Sequence, residues 1–203
     1  MASRKKKRVV AITGVRTFLG ARLARALEGD PNVKDIVAID LDLTAPDVTP
    51  AIQQALRGVD TLVHAAFVAS PSHDENASHE LDTIGTMHVL DALSAAKTKK
   101  LIFCSTAMCY GARPENPSYL DESQPLAADG ERVPRFIADK VEAERQAQLF
   151  ANEHEDRIVT VLRPATVIGP TVESYATRNG SLVGGEATYS NFRQFATSAR
   201  IIR

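Results

Sequence analysis

The first forty residues constrain the fold most. Arg8-Val9-Val10-Ala11-Ile12-Thr13 is an apolar, β-branched run of strand length that stops at Gly14. Periodicity then changes. Phe18, Leu19, Leu23 and Leu27 fall on one helical face, with Ala21, Ala24 and Ala26 among them, and Gly29-Asp30-Pro31 is the stop signal. A second apolar run, Ile36-Val37-Ala38-Ile39, closes on Asp40. Strand, glycine turn, helix, strand and terminal acid describe a βαβ unit of the dinucleotide-binding kind. In such a unit Gly14 lets the chain turn tightly out of the strand, the helix aims free N–H groups at a pyrophosphate, and Gly20 allows close helix–sheet packing. Asp40 would accept bonds from ribose hydroxyls and repel a 2′-phosphate, so NAD is expected over NADP.

Further apolar runs extend this pattern into an α/β domain. Parallel strands are expected near Arg8–Thr13, Asp35–Asp40, Asp60–Ala65, Lys100–Ser105 and Ile158–Arg163, with helices on both faces of a doubly wound sheet of about five strands. The chain divides into a basic arm (1–7), this domain (8–170) and a C-terminal segment (171–203). That segment holds a glycine-rich run, Asn179–Gly185, and then Asn191–Arg203, where Phe192, Phe195, Ala199 and Ile202 are distributed as on a helix.

Motifs in order along the chain narrow the reading. Thr13-Gly14-Val15-Arg16-Thr17-Phe18-Leu19-Gly20 matches T-G-x-x-G-x-x-G with Thr17 in the middle glycine's place. Val59–Ala66 contains V-x-H-x-A, and Asp82-Thr83-Ile84-Gly85-Thr86 approximates N-x-x-G-T. Leu101–Gly111 is close to a strand ending in S-S-x-x-V-Y-G, and Val161–Pro170 is close to L-R-P-x-x-V-x-G-P. On these motifs the chain resembles the NAD-dependent epimerase/dehydratase group of extended short-chain dehydrogenases, over roughly residues 8–170. The resemblance implies a Rossmann-like sheet and NAD as cofactor. It implies a cofactor site formed by Gly14, Arg16, Thr17, Phe18, Leu19, Gly20, Asp40, Ala65, Ala66, Lys140 and Pro164. A side chain at Thr17 would crowd the phosphates or donate a hydroxyl to one of them, and Arg16 would add positive charge.

The same resemblance assigns catalytic positions and exposes departures from them. Thr106 matches the Ser/Thr that bonds the substrate oxygen, and Lys140 matches the lysine that holds the nicotinamide ribose and lowers a tyrosine's pKa. Phe136 stands where that tyrosine belongs in Tyr-x-x-x-Lys, and phenylalanine has no proton to pass. Asp82 stands in the position of an asparagine of the proton relay. The family also places another strand before a segment like Asp42–Pro46; here that edge strand has no sequence, which would leave the second strand exposed. Little or no separate substrate domain is expected.

Composition bounds the alternatives. The net charge of −1 argues against nucleic-acid binding despite the run Arg4-Lys5-Lys6-Lys7-Arg8, which reads as a solvated arm. No apolar run reaches membrane-spanning length and the N-terminus lacks a signal-peptide core, so a cytoplasmic protein is expected. Cys104 and Cys109 read as reduced packing residues. His73, Asp74, Glu75 and His79 crowd one loop without a second group of ligands at metal spacing, so no metal is expected. By resemblance, helices around Glu80–Lys97 and Pro134–Asn152 would pair two copies into a homodimer. Two functions stay open: hydride transfer between NAD and a hydroxyl-bearing small molecule such as a nucleotide sugar, and non-catalytic NAD sensing or scaffolding on the same fold.

Overall fold

The computed structural model describes residues 6–68, 74–114, 116–127 and 133–165, and the backbone of 198–202. The glycine-rich run 179–185, the L-R-P motif beyond Ala165, His73 and most of the basic arm lie outside the described residues. Six strands form one sheet: β1 Arg8–Thr13, β2 Val33–Ile39, β3 Thr61–His64, β4 Lys100–Cys104, β5 Ile158–Arg163 and β6 Ser198–Ile202. The order is β2-β1-β3-β4-β5-β6. The first five are parallel, in registers such as Val10↔Thr61 and Leu101↔Val159. The expected parallel sheet of five strands is therefore present.

β6 adds an antiparallel strand against β5, with Thr160 facing Ile201. This corrects the helical reading of the chain's last residues where they are described. An unpaired β5 edge offers a row of backbone partners, and the β-branched pair Ile201-Ile202 suits a strand better than a helix.

The helices are α1 Phe18–Glu28, α2 Thr49–Ala55, α3 Glu75–His79, α4 Gly85–Ala95 and α5 Arg135–Glu153. Alternation along the strands splits the core into two layers. Val10, Ile12, Val63 and Ala65 face Leu23, Ala24 and Leu27 of α1. Ala11, Leu62, Leu101, Phe103, Val159 and Val161 face Ile52 of α2, Val89 and Leu93 of α4, and Ala143, Ala147 and Phe150 of α5. The chain runs from β1 outward to β2 over α1, then returns to β3 and proceeds the other way. The reversal lies between the C-terminal ends of β1 and β3, where an open α/β sheet forms its ligand crevice.

β2 is the exposed edge that the missing strand implies: among the described residues it pairs only with β1, and of its own residues only Ile39 is buried. Lys34 and Asp35 lie exposed on it, charges that discourage edge-to-edge pairing. Beyond β2 the segment Asp42–Pro46 is tied down directly. Asp42 accepts bonds from the Thr44 N–H and hydroxyl, Leu43 is buried, and His88 Nδ1 donates to the Leu43 carbonyl at 2.8 Å.

Candidate functional site

The crevice is built on contacts that only glycine permits. Gly14 has φ +70°, and a Cβ there would lie 2.4 Å from the Ala65 carbonyl oxygen and 2.6 Å from Ala66 Cα. The turn thus rests on the backbone that leaves β3, which brings Gly14, Ala65 and Ala66 together. A Cβ on Gly20 would lie 2.1 Å from the Gly14 carbonyl oxygen, so α1 also begins in backbone contact with the turn.

The Thr17 hydroxyl is turned toward the backbone of the turn and lies 3.4 Å from the Ala65 carbonyl oxygen. The side chain caps α1: its hydroxyl accepts from Gly20 N–H at 3.0 Å and donates to the Gly14 carbonyl at 2.7 Å. In this arrangement the hydroxyl proton is directed at the Gly14 carbonyl rather than outward. The capping leaves the N–H groups of Phe18 and Leu19 as the first-turn donors without intrahelical partners. Arg16, also in the turn, places Nε at 2.8 Å and Nη2 at 2.6 Å from Oδ2 of Asp40, at the end of β2. Their side chains are 83% and 46% exposed, so the pair contributes only about 0–1 kcal/mol.

Beneath the crevice, a buried chain of hydrogen bonds joins β1, β3 and α4. Thr13 Oγ1 accepts from the Ala65 N–H and lies 2.7 Å from His64 Nδ1; His64 Nε2 lies 3.1 Å from Thr86 Oγ1, which donates to the Asp82 carbonyl. Since Thr86 spends its proton on Asp82, it accepts from Nε2–H, and Nδ1 accepts from Thr13. The neutral Nε2–H tautomer satisfies every member of the chain. Complete burial pushes the His64 pKa down to about 3. His64 holds the scaffold.

The third part forms where α3, α4 and α5 meet. Between α3 and α4 the helix widens into a π turn, Glu80–Ile84, which carries Asp82. Asp82 is fully buried, and its two oxygens have separate partners: Oδ1 accepts from Val68 N–H at 2.9 Å and Oδ2 from Lys140 Nζ at 2.9 Å. Lys140 also donates to the Val68 carbonyl at 2.7 Å. Its ammonium sits 4.5 Å from the centre of the Phe136 ring and 5.6 Å from that of Phe67. Burial raises the Asp82 pKa, with Lys140 and the Val68 N–H pulling it back.

Asp82, Phe136 and Lys140 thus come together, but the lysine is already engaged by a carboxylate, a backbone carbonyl and two aromatic rings. Asp139, next to Lys140 on α5, binds His79 Nδ1 at 2.8 Å. This pairing is not legible in the sequence, where His79 belongs to a loop cluster. Asp74, another member of that cluster, caps α3 through Ala77 N–H. Among the described residues no group of three His, Cys, Asp or Glu side chains could hold a metal ion.

Thr106 accepts from Met108 N–H at 3.3 Å and so caps the 3₁₀ turn Ala107–Tyr110. Pro164 accepts from Ala107 N–H through its carbonyl, fixing that turn to the end of β5. Cys109 of the turn packs with Val141 and Ile137 of α5, which sets Thr106 beside the α5 layer. Both cysteines are buried free thiols, pushed up to about 11 by burial.

Sequence inspection misses a buried network next to this turn. Arg163 bonds Glu144 through Nε and Nη2, and Glu144 also accepts from the Ser105 hydroxyl. Arg163 Nη1 donates to the Tyr110 hydroxyl at 2.7 Å, and that hydroxyl donates to the Asp121 carbonyl at 3.1 Å. Tyr110, 3% exposed, is therefore committed on both sides and is not placed to replace a phenol at position 136. Tyr119 is 77% exposed in the following loop. The signal that was available is the arginine of Leu162-Arg163-Pro164: a charge at the end of a buried strand requires a partner.

Comparison with known proteins agrees with this fold. The profile of the NAD dependent epimerase/dehydratase family matches residues 10–184. An uncharacterized protein of Mycobacterium tuberculosis is 27% identical over 192 residues, covering 84% of this chain and 50% of its own length. The N-acetyl-alpha-D-glucosaminyl-diphospho-ditrans,octacis-undecaprenol 4-epimerase of Escherichia coli O157:H7 is 26% identical over 174 residues, covering 79% and 49%. Among solved structures, the UDP-glucose 4-epimerase of Thermus thermophilus in complex with NAD superimposes with a TM-score of 0.68 at 20% identity, over 81% of this chain and 57% of the other. The chain spans about half the length of these curated relatives.

Proposed function

The chain belongs to the NAD dependent epimerase/dehydratase family, and from that premise we propose that it binds NAD in the β1–β3 crevice while its proton relay has been replaced by a sealed ion pair. NAD, when bound, supplies the hydride acceptor of this family's chemistry. Residues for holding it fit: Gly14 and Gly20 keep the turn close to the sheet, the Phe18 and Leu19 N–H groups of the first turn of α1 would donate to a pyrophosphate, and Asp40 would offer a carboxylate to the ribose. The observation that carries the second half of the proposal is Lys140, held by Asp82 and Val68 under the Phe136 ring.

In a relay, a lysine steadies a phenolate and the phenol moves the proton. Here Phe136 carries no ionisable group, and the charge of Lys140 is matched by Asp82 rather than left to stabilise anything else. The favoured reading is thus a nucleotide-binding protein whose output is sensing or assembly. Retained chemistry on a hydroxyl-bearing substrate such as a nucleotide sugar is the second reading. Thr106, whose hydroxyl donates to no partner among the described residues, favours it. Titration calorimetry checks the binding: NAD and NADH are expected to bind more tightly than their phosphorylated forms, and Asp40→Ala to narrow that difference. No binding of any of these nucleotides would sink the proposal.

A homodimer through α4 and α5 is part of the same proposal. Of the apolar positions on these helices, Val89, Leu93 and Val141 are spent on the protomer's own core, whereas Leu149 is 60% exposed and Met87 41%. A contact between copies would therefore centre on Leu149, Met87 and the half-buried Leu81. Light scattering at tens of micromolar should give a dimer mass that Leu149→Glu halves; a monomeric parent would exclude it.

A further inference from the structure

We propose that the crevice recognises only the adenosine diphosphate half of its nucleotide, so that the chain is blind to the nicotinamide and to its redox state. The inference rests on the nucleotide-binding reading and narrows its ligand class to any nucleotide carrying an ADP moiety. A dinucleotide on an open α/β sheet lies across the C-terminal ends of the strands, with one half on each side of the switch point. The two sides of this crevice differ in what they leave for a ligand.

On the side of β1 and β2 the polar groups are open. The Phe18 and Leu19 N–H groups belong to the first turn of α1, which supplies them no intrahelical partner. Asp40 is 46% exposed, and its bonds with Arg16 fall on Oδ2, in a pair that water already screens. On the side of β3 and β4 the polar groups are spent within the protein. Lys140, 8% exposed, donates to Asp82 and to the carbonyl of Val68, three residues beyond the Ala65 that lies against Gly14. Asp82 in turn accepts from the Val68 N–H, so the ion pair grips Val68 through both its backbone groups. Ser105, at the end of β4, donates to Glu144, and the Tyr110 hydroxyl is held between Arg163 and the Asp121 carbonyl. A second ribose with its nicotinamide would meet the neutral Thr106 hydroxyl and no available cation among the described residues of this side. Drawing Lys140 onto that ribose would leave Asp82 buried and unpaired, a larger loss than one bond to a hydroxyl returns.

The test is calorimetric titration of the parent and of Asp82→Asn with NAD, NADH, ADP-ribose, which lacks the nicotinamide, and ADP, which lacks the second ribose as well. The parent should bind all four within about fivefold of one another, whereas a charged donor on the second ribose would favour NAD and ADP-ribose over ADP by more than about tenfold. Asp82→Asn keeps an acceptor for Val68 N–H and releases Lys140, so NAD and ADP-ribose should gain about tenfold over ADP, whose unchanged affinity reports an intact crevice. Should that variant fail to fold, the parent's series decides by itself. A parent that prefers NAD to ADP by more than about tenfold, or separates NAD from NADH by as much, overturns this inference alone. So does an Asp82→Asn protein that binds ADP as the parent does and gains nothing for NAD. Failure of the parent to bind any of the four overturns it together with the binding proposal.

Discussion

Phe136→Tyr combined with Asp82→Asn is expected to raise hydride transfer to bound NAD by about 10²-fold or more over the parent, the usual scale of one placed acid–base group, while Phe136→Tyr alone gains much less. The single change adds one oxygen to a ring that is already 7% exposed and lies 4.5 Å from the Lys140 ammonium. That ammonium, however, is paired at 2.9 Å with the Asp82 carboxylate, and a phenolate beside a compensated charge gains little. Asparagine at position 82 keeps an acceptor for Val68 N–H and releases the lysine's charge. Because a buried ion pair is costly to break, about 3–5 kcal/mol, the double variant's fold is checked by urea unfolding alongside.

The phenol itself reports the mechanism independently of any substrate. Its ionisation, followed by ultraviolet difference titration, should fall below the ordinary value of about 10 in the double variant and stay nearer to it with Asp82 intact. Turnover is read from reduced nicotinamide with a panel of nucleotide sugars and secondary alcohols. A lowered phenol pKa without turnover supports the binding role over retained chemistry. An unshifted phenol in the double variant would sink the claim that Asp82 sequesters the lysine.

This pair also shows where sequence reading stops. Asp82, Phe136 and Lys140 are each identifiable as positions, and the sequence shows the missing phenol and the aspartate in the asparagine's place as two separate departures. That Asp82 closes on Lys140 depends on a π turn, which has no sequence signature of its own, and on Val68, a backbone partner that no motif names. The βαβ unit is legible because it is local: Gly14, Gly20 and Asp40 lie within one strand–helix–strand stretch whose periodicities are distinct. Thr17 is legible as a departure from the glycine pattern but not as a cap, because Ser/Thr before a helix and glycine in a phosphate turn compete for the same residue. The last strand reads as a helix in the sequence because an amphipathic short segment takes the structure its neighbour offers, and β5 offers an edge.

The second large effect lies in the Glu144–Arg163 network. Glu144→Ala is expected to cost about 3–5 kcal/mol, measured as a shift in the urea midpoint without a change in its slope. The residue is fully buried on α5, Arg163 is 2% exposed at the end of β5, and no water shell is available to the guanidinium once its partner is gone. The loss spreads because the same groups hold Ser105 and Tyr110: Glu144 accepts the Ser105 hydroxyl, and Arg163 orients the phenol that in turn bonds Asp121. Replacing both charges, Glu144→Leu with Arg163→Met, should cost clearly less than Glu144→Ala, since no charge is then left buried and unpaired. The double variant still frees Tyr110, so the 3₁₀ turn that Thr106 caps should loosen and hydrogen exchange at Met108 and Cys109 should quicken even where global stability is kept. A cost below about 1 kcal/mol for Glu144→Ala would show that the ion pair is solvated in solution, and the placement of Thr106 would then need another support.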